Sequence, residues 1–219
     1  MRHLLAVAAI AILSLLPAAP CAADGHEASD AGWRLFIPDG FQAAPPSVGA
    51  ELSEQVRRLV ASTGIPLSGA PKQRQYVMLG EGGELATILV MRQRLVMERD
   101  LPSVGALDLD AVRGSLELTA RETGELEVQR VDRARLSGIL EGIRVAVVER
   151  TPAGAVSEFR FAIAIQSGSA VVVAFRAADA VPFDAPETWK RLLASLRISR
   201  PDPGPERWVP LGVGLLGLF

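Results

Sequence analysis

Residues 125–178 read ELEVQRVDRARLSGILEGIRVAVVERTPAGAVSEFRFAIAIQSGSAVVVAFRAA. Four segments rich in Val, Ile, Phe and Ala divide this stretch: 125–137, 139–151, 155–166 and 169–178. The first alternates polar and apolar residues, the signature of a half-buried strand. The connections TPAGA and SGS are of hairpin length. Parallel neighbours would need a crossover of a dozen or more residues, so the four segments form an antiparallel meander.

Helical periods flank the meander. In FDAPETWKRLLASLRI (183–198), Trp189, Leu192, Leu193 and Leu196 form one apolar stripe, opened by Asp184 and Pro186. Before it, Val112, Leu116 and Thr119 or Ala120 share a face, with Asp108 or Asp110 at the N-terminus and Gly124 at the end. QRQYVML (73–79) and LATILVMRQRLVM (85–97) are two further strands across the glycine-containing connection GEGGE, and GIPLSGAPK (64–72) before them reads as loop. GAELSEQVRRLVASTG (49–64) places Leu52, Val56, Leu59 and Val60 at helical spacing, closed by Gly64. Alternation first appears at WRLFI (33–37), followed by the turn PDG; residues 24–32 are polar and aperiodic. The resulting expectation is an α+β domain over 33–198: a single antiparallel β-sheet with two to three helices packed on one face.

Both ends of the chain are apolar. Arg2, an apolar run from Leu4 to Leu16, Pro17 and then small residues follow the grammar of a secretory signal, with the cut expected after Ala23. The run would extend roughly 20 Å as a helix, against a hydrocarbon core of ~30 Å. Cys21 raises the alternative of lipidation, although Pro20 beside it departs from a lipobox. Loss of 1–23 removes the only cysteine, so packing alone would stabilise the exported chain. At the other end, SRPDPGPER (199–207) is a Pro-rich spacer and WVPLGVGLLGLF (208–219) an apolar tail. As a helix the tail would reach only ~18 Å, and Pro210 and its glycines weaken that helix. Two readings stay open. The tail touches the membrane interface peripherally through Trp208, Leu215, Leu216 and Phe219, or it docks into an apolar groove of its own domain or of a partner.

The order of elements, the opening phrase WRLFIPDGF, the stretch LSGILEGIRVAVVER leading into the meander, and the closing WKRLLASLRI together resemble the PsbP-like and DcrB-like superfamily of small exported α/β proteins. The resemblance spans residues 33–198. It implies a PsbP-like fold and a non-catalytic accessory or binding protein working on the far side of a membrane. Photosynthetic members use histidines to touch metal; this sequence has none over 33–198, so no metal site is carried over.

The available chemistry is narrow. Once the signal-like residues 1–23 are removed, the sole histidine is His26, within the polar, aperiodic leader 24–32. A Ser-His-Asp or Cys-His site needs an imidazole held beside its nucleophile, and zinc sites need Cys or His ligands. With 23 Lys+Arg against 25 Asp+Glu, the chain lacks the positive footprint of a nucleic-acid binder. Only Lys72 and Lys190 are lysines, and that Arg bias, with abundant Ala, Gly, Leu and Val, points to a GC-rich bacterial genome. Asp108 and Asp110 are acid/base candidates for a carboxylate-dependent envelope hydrolase, but they also sit where a helix begins and acidic residues favour its dipole. Arg133 and Arg135, two apart on one strand face, are candidates for contact with a partner or an anion. The expected function is therefore an exported, non-catalytic accessory or binding protein of the bacterial cell envelope, periplasmic or at the cell surface, with a protein partner and no cofactor. A hydrolase and a carrier of a small apolar ligand are the alternatives.

Overall fold

The computed structural model describes residues 25–30, 32–45, 47–48, 50–81, 83–96, 107–124, 126–137, 140–150, 156–166, 168–178 and 181–198. Among these described residues, three helices and ten strands follow in the order β1 (Gly25–Asp30), β2 (Trp33–Pro38), β3 (Gln42–Ala44), α1 (Ala50–Ser62), β4 (Leu67–Gly80), β5 (Gly83–Leu95), α2 (Leu109–Thr123), β6 (Leu126–Ser137), β7 (Leu140–Arg150), β8 (Val156–Gln166), β9 (Ser169–Ala177), α3 (Ala185–Ser195) and β10 (Arg197–Ile198). The expected meander is present as β6–β7–β8–β9, antiparallel throughout.

The expectation of one sheet is corrected. A seven-stranded sheet has the order β3-β4-β5-β9-β8-β7-β6, and a separate three-stranded sheet has the order β1-β2-β10. The expectation of helices on one face is corrected with it. Leu52, Val56 and Leu59 of α1 and Val112 and Leu116 of α2 pack on one face of the large sheet, against Leu89, Val145, Phe161 and Val172. Trp33, Leu35 and Ile37 of β2 and Trp189 and Leu192 of α3 pack on the other, against Ile88, Ala162, Val171 and Val173. In β9 every residue except Arg176 is buried, since successive side chains enter opposite cores.

Two stretches outside the periodic segments also pair. The 24–32 stretch contains β1, which pairs with β2 from Gly25↔Pro38 to Asp30↔Trp33. Only Ala28 is buried there, so its side chains carry little apolar alternation and the strand is held through backbone hydrogen bonds. The 64–72 loop is also largely strand: β4 starts at Leu67, with a register shift between Ser68 and Lys72 and a positive φ at Gly69.

The helix ends match their sequence signals. Asp108 Oδ1 accepts from the backbone N–H of Asp110 at 3.0 Å and of Ala111 at 3.3 Å. Gly124 closes α2 in the left-handed region, φ 71°. On α3, Asp184 Oδ1 accepts from the Glu187 N–H at 2.9 Å. On α1, Glu54 accepts from Arg57 and Arg58, and those side-chain hydrogen bonds, Arg57's first, hold its carboxyl at about 2, below the usual 4.5.

Two outcomes follow. Asp108→Ala removes the α2 cap and should cost about 1 kcal/mol in urea unfolding, whereas Asp108→Asn should cost much less. Because the Glu54 carboxyl titrates lower in the folded state, its contribution is present above the unfolded value of 4.5 and is lost as pH falls through about 2. The contribution is small, since the pair is solvent-screened. Glu54→Gln should therefore flatten the stability–pH curve in that window, and salt should reduce the difference.

Candidate functional site

Among the described residues, strand β6 is one edge of the seven-stranded sheet and pairs only with β7. Register shifts between Val128 and Arg130 and between Arg135 and Ser137 interrupt it, leaving a regular stretch from Arg130 to Arg135 with one side of its backbone unpaired by any described strand. Arg133 and Arg135 are both exposed on the α1/α2 side of this edge. Arg133 Nη2 donates to the Leu107 carbonyl at 2.6 Å, which ties the start of α2 to the edge, and Arg135 lies opposite Glu141 in register.

On the other sheet face, α3 and the small sheet leave one corner of β6, β7 and β8 uncovered. Ion pairs occupy it. Asp132 accepts from Arg144 Nη2 at 2.5 Å and lies 3.3 Å from Arg130 Nε. Arg150 pairs with Glu127 at 3.2 Å. Glu158 takes Arg160 in a fork at 2.8 and 3.0 Å. These groups were not singled out in the sequence. Their signal was the break in β7 and β8, where Arg144, Glu158 and Arg160 interrupt an otherwise apolar alternation.

Where this corner meets the first turn of α3 lies a cleft of about 330 Å³. Phe175 is its floor, Val181 and Phe183 its walls, and Arg160, Glu158 and Asp184 stand at its rim. Behind the floor, Phe175 stacks on Trp189 with ring centroids 6.4 Å apart and an interplanar angle of 11°. Phe183 also packs against Phe41 and Phe175.

A second polar group is buried at the end of the large sheet, beneath α1. Glu149 is 6 % exposed. It accepts from Gln55 Nε2 of α1 at 2.7 Å and from Ser157 Oγ at 3.2 Å, and lies 3.8 Å from Arg176 Nη1. Arg176 Nη2 also donates to Glu84 at 3.0 Å, and Thr87 donates to the same carboxylate. One guanidinium thus bridges two carboxylates across β5, β7 and β9, and Gln55 pins α1 onto the assembly.

The other sequence candidates separate. Asp108 is occupied as a helix cap and Asp110 is exposed in the first turn of α2. His26, expected in an aperiodic leader, is instead fixed in β1 opposite Ile37, its ring edge-on to Tyr76 at 6.4 Å. Among the described residues no group of three His, Cys, Asp or Glu side chains is placed to hold a metal ion, and no helix is long and apolar enough to cross a membrane. Cys21, Trp208, Leu215, Leu216 and Phe219 lie outside the described residues.

No family model matches this sequence, and no curated protein matches it significantly. Among solved structures, the solution structure of cyanobacterial PsbP (CyanoP) from Synechocystis sp. PCC 6803 superposes with a TM-score of 0.53 over 84% of this chain and 99% of that one, at 9% identity. The fold is PsbP-like. A crystal structure from Bacteroides thetaiotaomicron VPI-5482 matches with a TM-score of 0.41 at 9% identity, over 80% of this chain and 49% of that one. The protein of unknown function PA94 from Pseudomonas aeruginosa matches with a TM-score of 0.37 at 12% identity, over 81% and 99%. The PsbP-like assignment rests on the first of these and concerns the architecture.

Arg176→Met leaves two carboxylates near the core without their shared cation and should destabilise by about 3 kcal/mol. Adding Glu149→Leu should recover part of that loss, because the buried charge goes with its partner. Paired denaturant titrations of the single and double variants measure the coupling.

Proposed function

We propose that this chain is an exported, non-catalytic accessory protein of the bacterial cell envelope that binds a protein partner along the β6 edge. The observation that carries the reading is the regular, half-unpaired stretch Arg130–Arg135 between two register shifts, flanked by exposed arginines. An extended segment of a partner adds to such an edge by main-chain hydrogen bonds, and side chains at alternate positions then set its specificity. Arg133 and Arg135 favour a partner segment carrying carboxylates. The signal-like residues 1–23 support export, and the PsbP-like architecture is compatible with an accessory role.

Two rivals are less well supported. A carboxylate-dependent hydrolase would draw on Asp108 or Asp110, and Asp108 already spends its carboxylate on two backbone N–H groups. A carrier of a small apolar ligand would use the Phe175 cleft, which is open at its rim rather than enclosed.

The test is a photo-crosslinker at Ala134 in the full chain, expressed in its native envelope, with a matched probe at Ser68 on β4 as control. One specific adduct from Ala134, absent from Ser68 and strongly reduced by Arg133→Glu with Arg135→Glu, is the expected result. Equal adducts from both positions, or indifference to the charge reversal, would reject the edge as the binding surface. An intact mass beginning at Asp24 is expected for the envelope form; a mass retaining residues 1–23 would reject processed export.

A further inference from the structure

We infer that the Phe175 cleft is the seat of this chain's own C-terminal segment, with the Trp208 indole as the side chain that fills it. The inference is independent of the β6 edge, which lies on the other side of the open corner.

Three observations converge on this occupant. The first is the chemistry of the walls. Phe175, Val181 and Phe183 supply an aromatic and aliphatic slot of about 330 Å³, large enough for two or three side chains and too small for the whole tail. Its polar groups are already spoken for: Arg160 is forked onto Glu158, and Asp184 Oδ1 caps α3. A charged ligand would have to displace one of these pairs, whereas an uncharged one leaves them intact.

The second is hydrogen-bond complementarity. Two carboxylates and one guanidinium at the rim leave spare acceptor capacity and no spare need for an acceptor. Tryptophan is the apolar side chain that brings one N–H donor and no acceptor, and a buried indole seeks such a partner. Trp208 is the first aromatic residue beyond the described chain and opens its apolar tail.

The third is reach. The described chain ends at Ile198, just past the C-terminal end of α3, while the cleft lies at the first turn of the same helix. The eleven residues of α3 make that distance about 16 Å at ~1.5 Å per residue. The spacer 199–207 carries three prolines, and as polyproline II would cover roughly 28 Å at ~3.1 Å per residue. It is long enough to run back along α3 and deliver Trp208 to the cleft.

Trp33 and Trp189 are buried, so the emission of Trp208 can be isolated as the difference between the full chain and its Trp208→Phe variant. In the absence of lipid the expected difference spectrum is blue-shifted and protected from acrylamide, and Val181→Glu should return it to the solvent-exposed position. A photo-reactive phenylalanine at position 208 should crosslink to residues 175–186 in the otherwise unaltered chain, a readout that does not depend on how the Val181 variant folds. A red, freely quenched Trp208 would overturn the inference. So would protection that arises only on adding phosphatidylethanolamine and phosphatidylglycerol vesicles, which would assign the tail to the membrane. Crosslinks that map away from 175–186 would overturn it as well.

Discussion

The whole arrangement depends on one constraint: the strand β9 has no face that water can reach. Ala170, Val172 and Ala174 enter one core while Val171, Val173 and Phe175 enter the other. A sheet dry on one side needs a single covering layer; a sheet dry on both needs two. The α1/α2 pair supplies the first. The second is a composite of α3 and a small sheet, since one helix is too narrow to shield the β5–β9–β8 centre by itself. Each large apolar side chain removed from water in this way contributes about 1.5–3 kcal/mol, which is why layers assemble on both faces of these three strands. The α1/α2 layer continues over Val128 and Val131 of β6, and only the second layer stops short there.

Burial on both faces also dictates where polar groups survive. Arg176 is the one residue of β9 that breaks the apolar run, and it does so at the strand's end. There its charge is met by Glu84 and Glu149 rather than by solvent. At the opposite flank, where the second layer stops short, Arg130, Arg144 and Arg160 keep their heads near water and their stems on the sheet. The buried and the exposed ion pairs are two outcomes of one geometry, set by how far each covering layer extends.

Much of this was legible in residue order, and what was missed has a common cause. Stripes such as Leu52–Val56–Leu59 and Trp189–Leu192–Leu193 announce their helices because side-chain burial at a fixed period is written directly in the sequence. The meander was readable from its short connections. The second sheet was not, because β1 contributes mainly backbone hydrogen bonds, and GHEASD shows no apolar alternation. The two covered faces did have a signal. The unbroken AVVVAF of residues 170–175 belongs to a strand buried on both sides, and it conflicts with a sheet having one wet face. At the candidate sites, Arg133 and Arg135 were visible as an alternating pair. The Phe175 cleft and the Glu149 cluster were invisible because their members lie far apart in sequence and meet only through sheet register.

The small sheet joins the two extremities of the described chain. β10 pairs with β2 at Ile198↔Trp33, and the Phe36 N–H donates to Ser195 Oγ at 3.0 Å across 159 positions. A polypeptide that emerges from a ribosome or a translocation pore N-terminus first presents β2 early, with Trp33, Leu35 and Ile37 ready to be buried, long before α3 and β10 follow. The α1/α2 core can begin to form around β5 and β9 earlier, but the other core has no lid until α3 is out. Completion of this core is thus timed by the arrival of α3 and β10, and the exposed β2 is what a holding chaperone would meet in the interval.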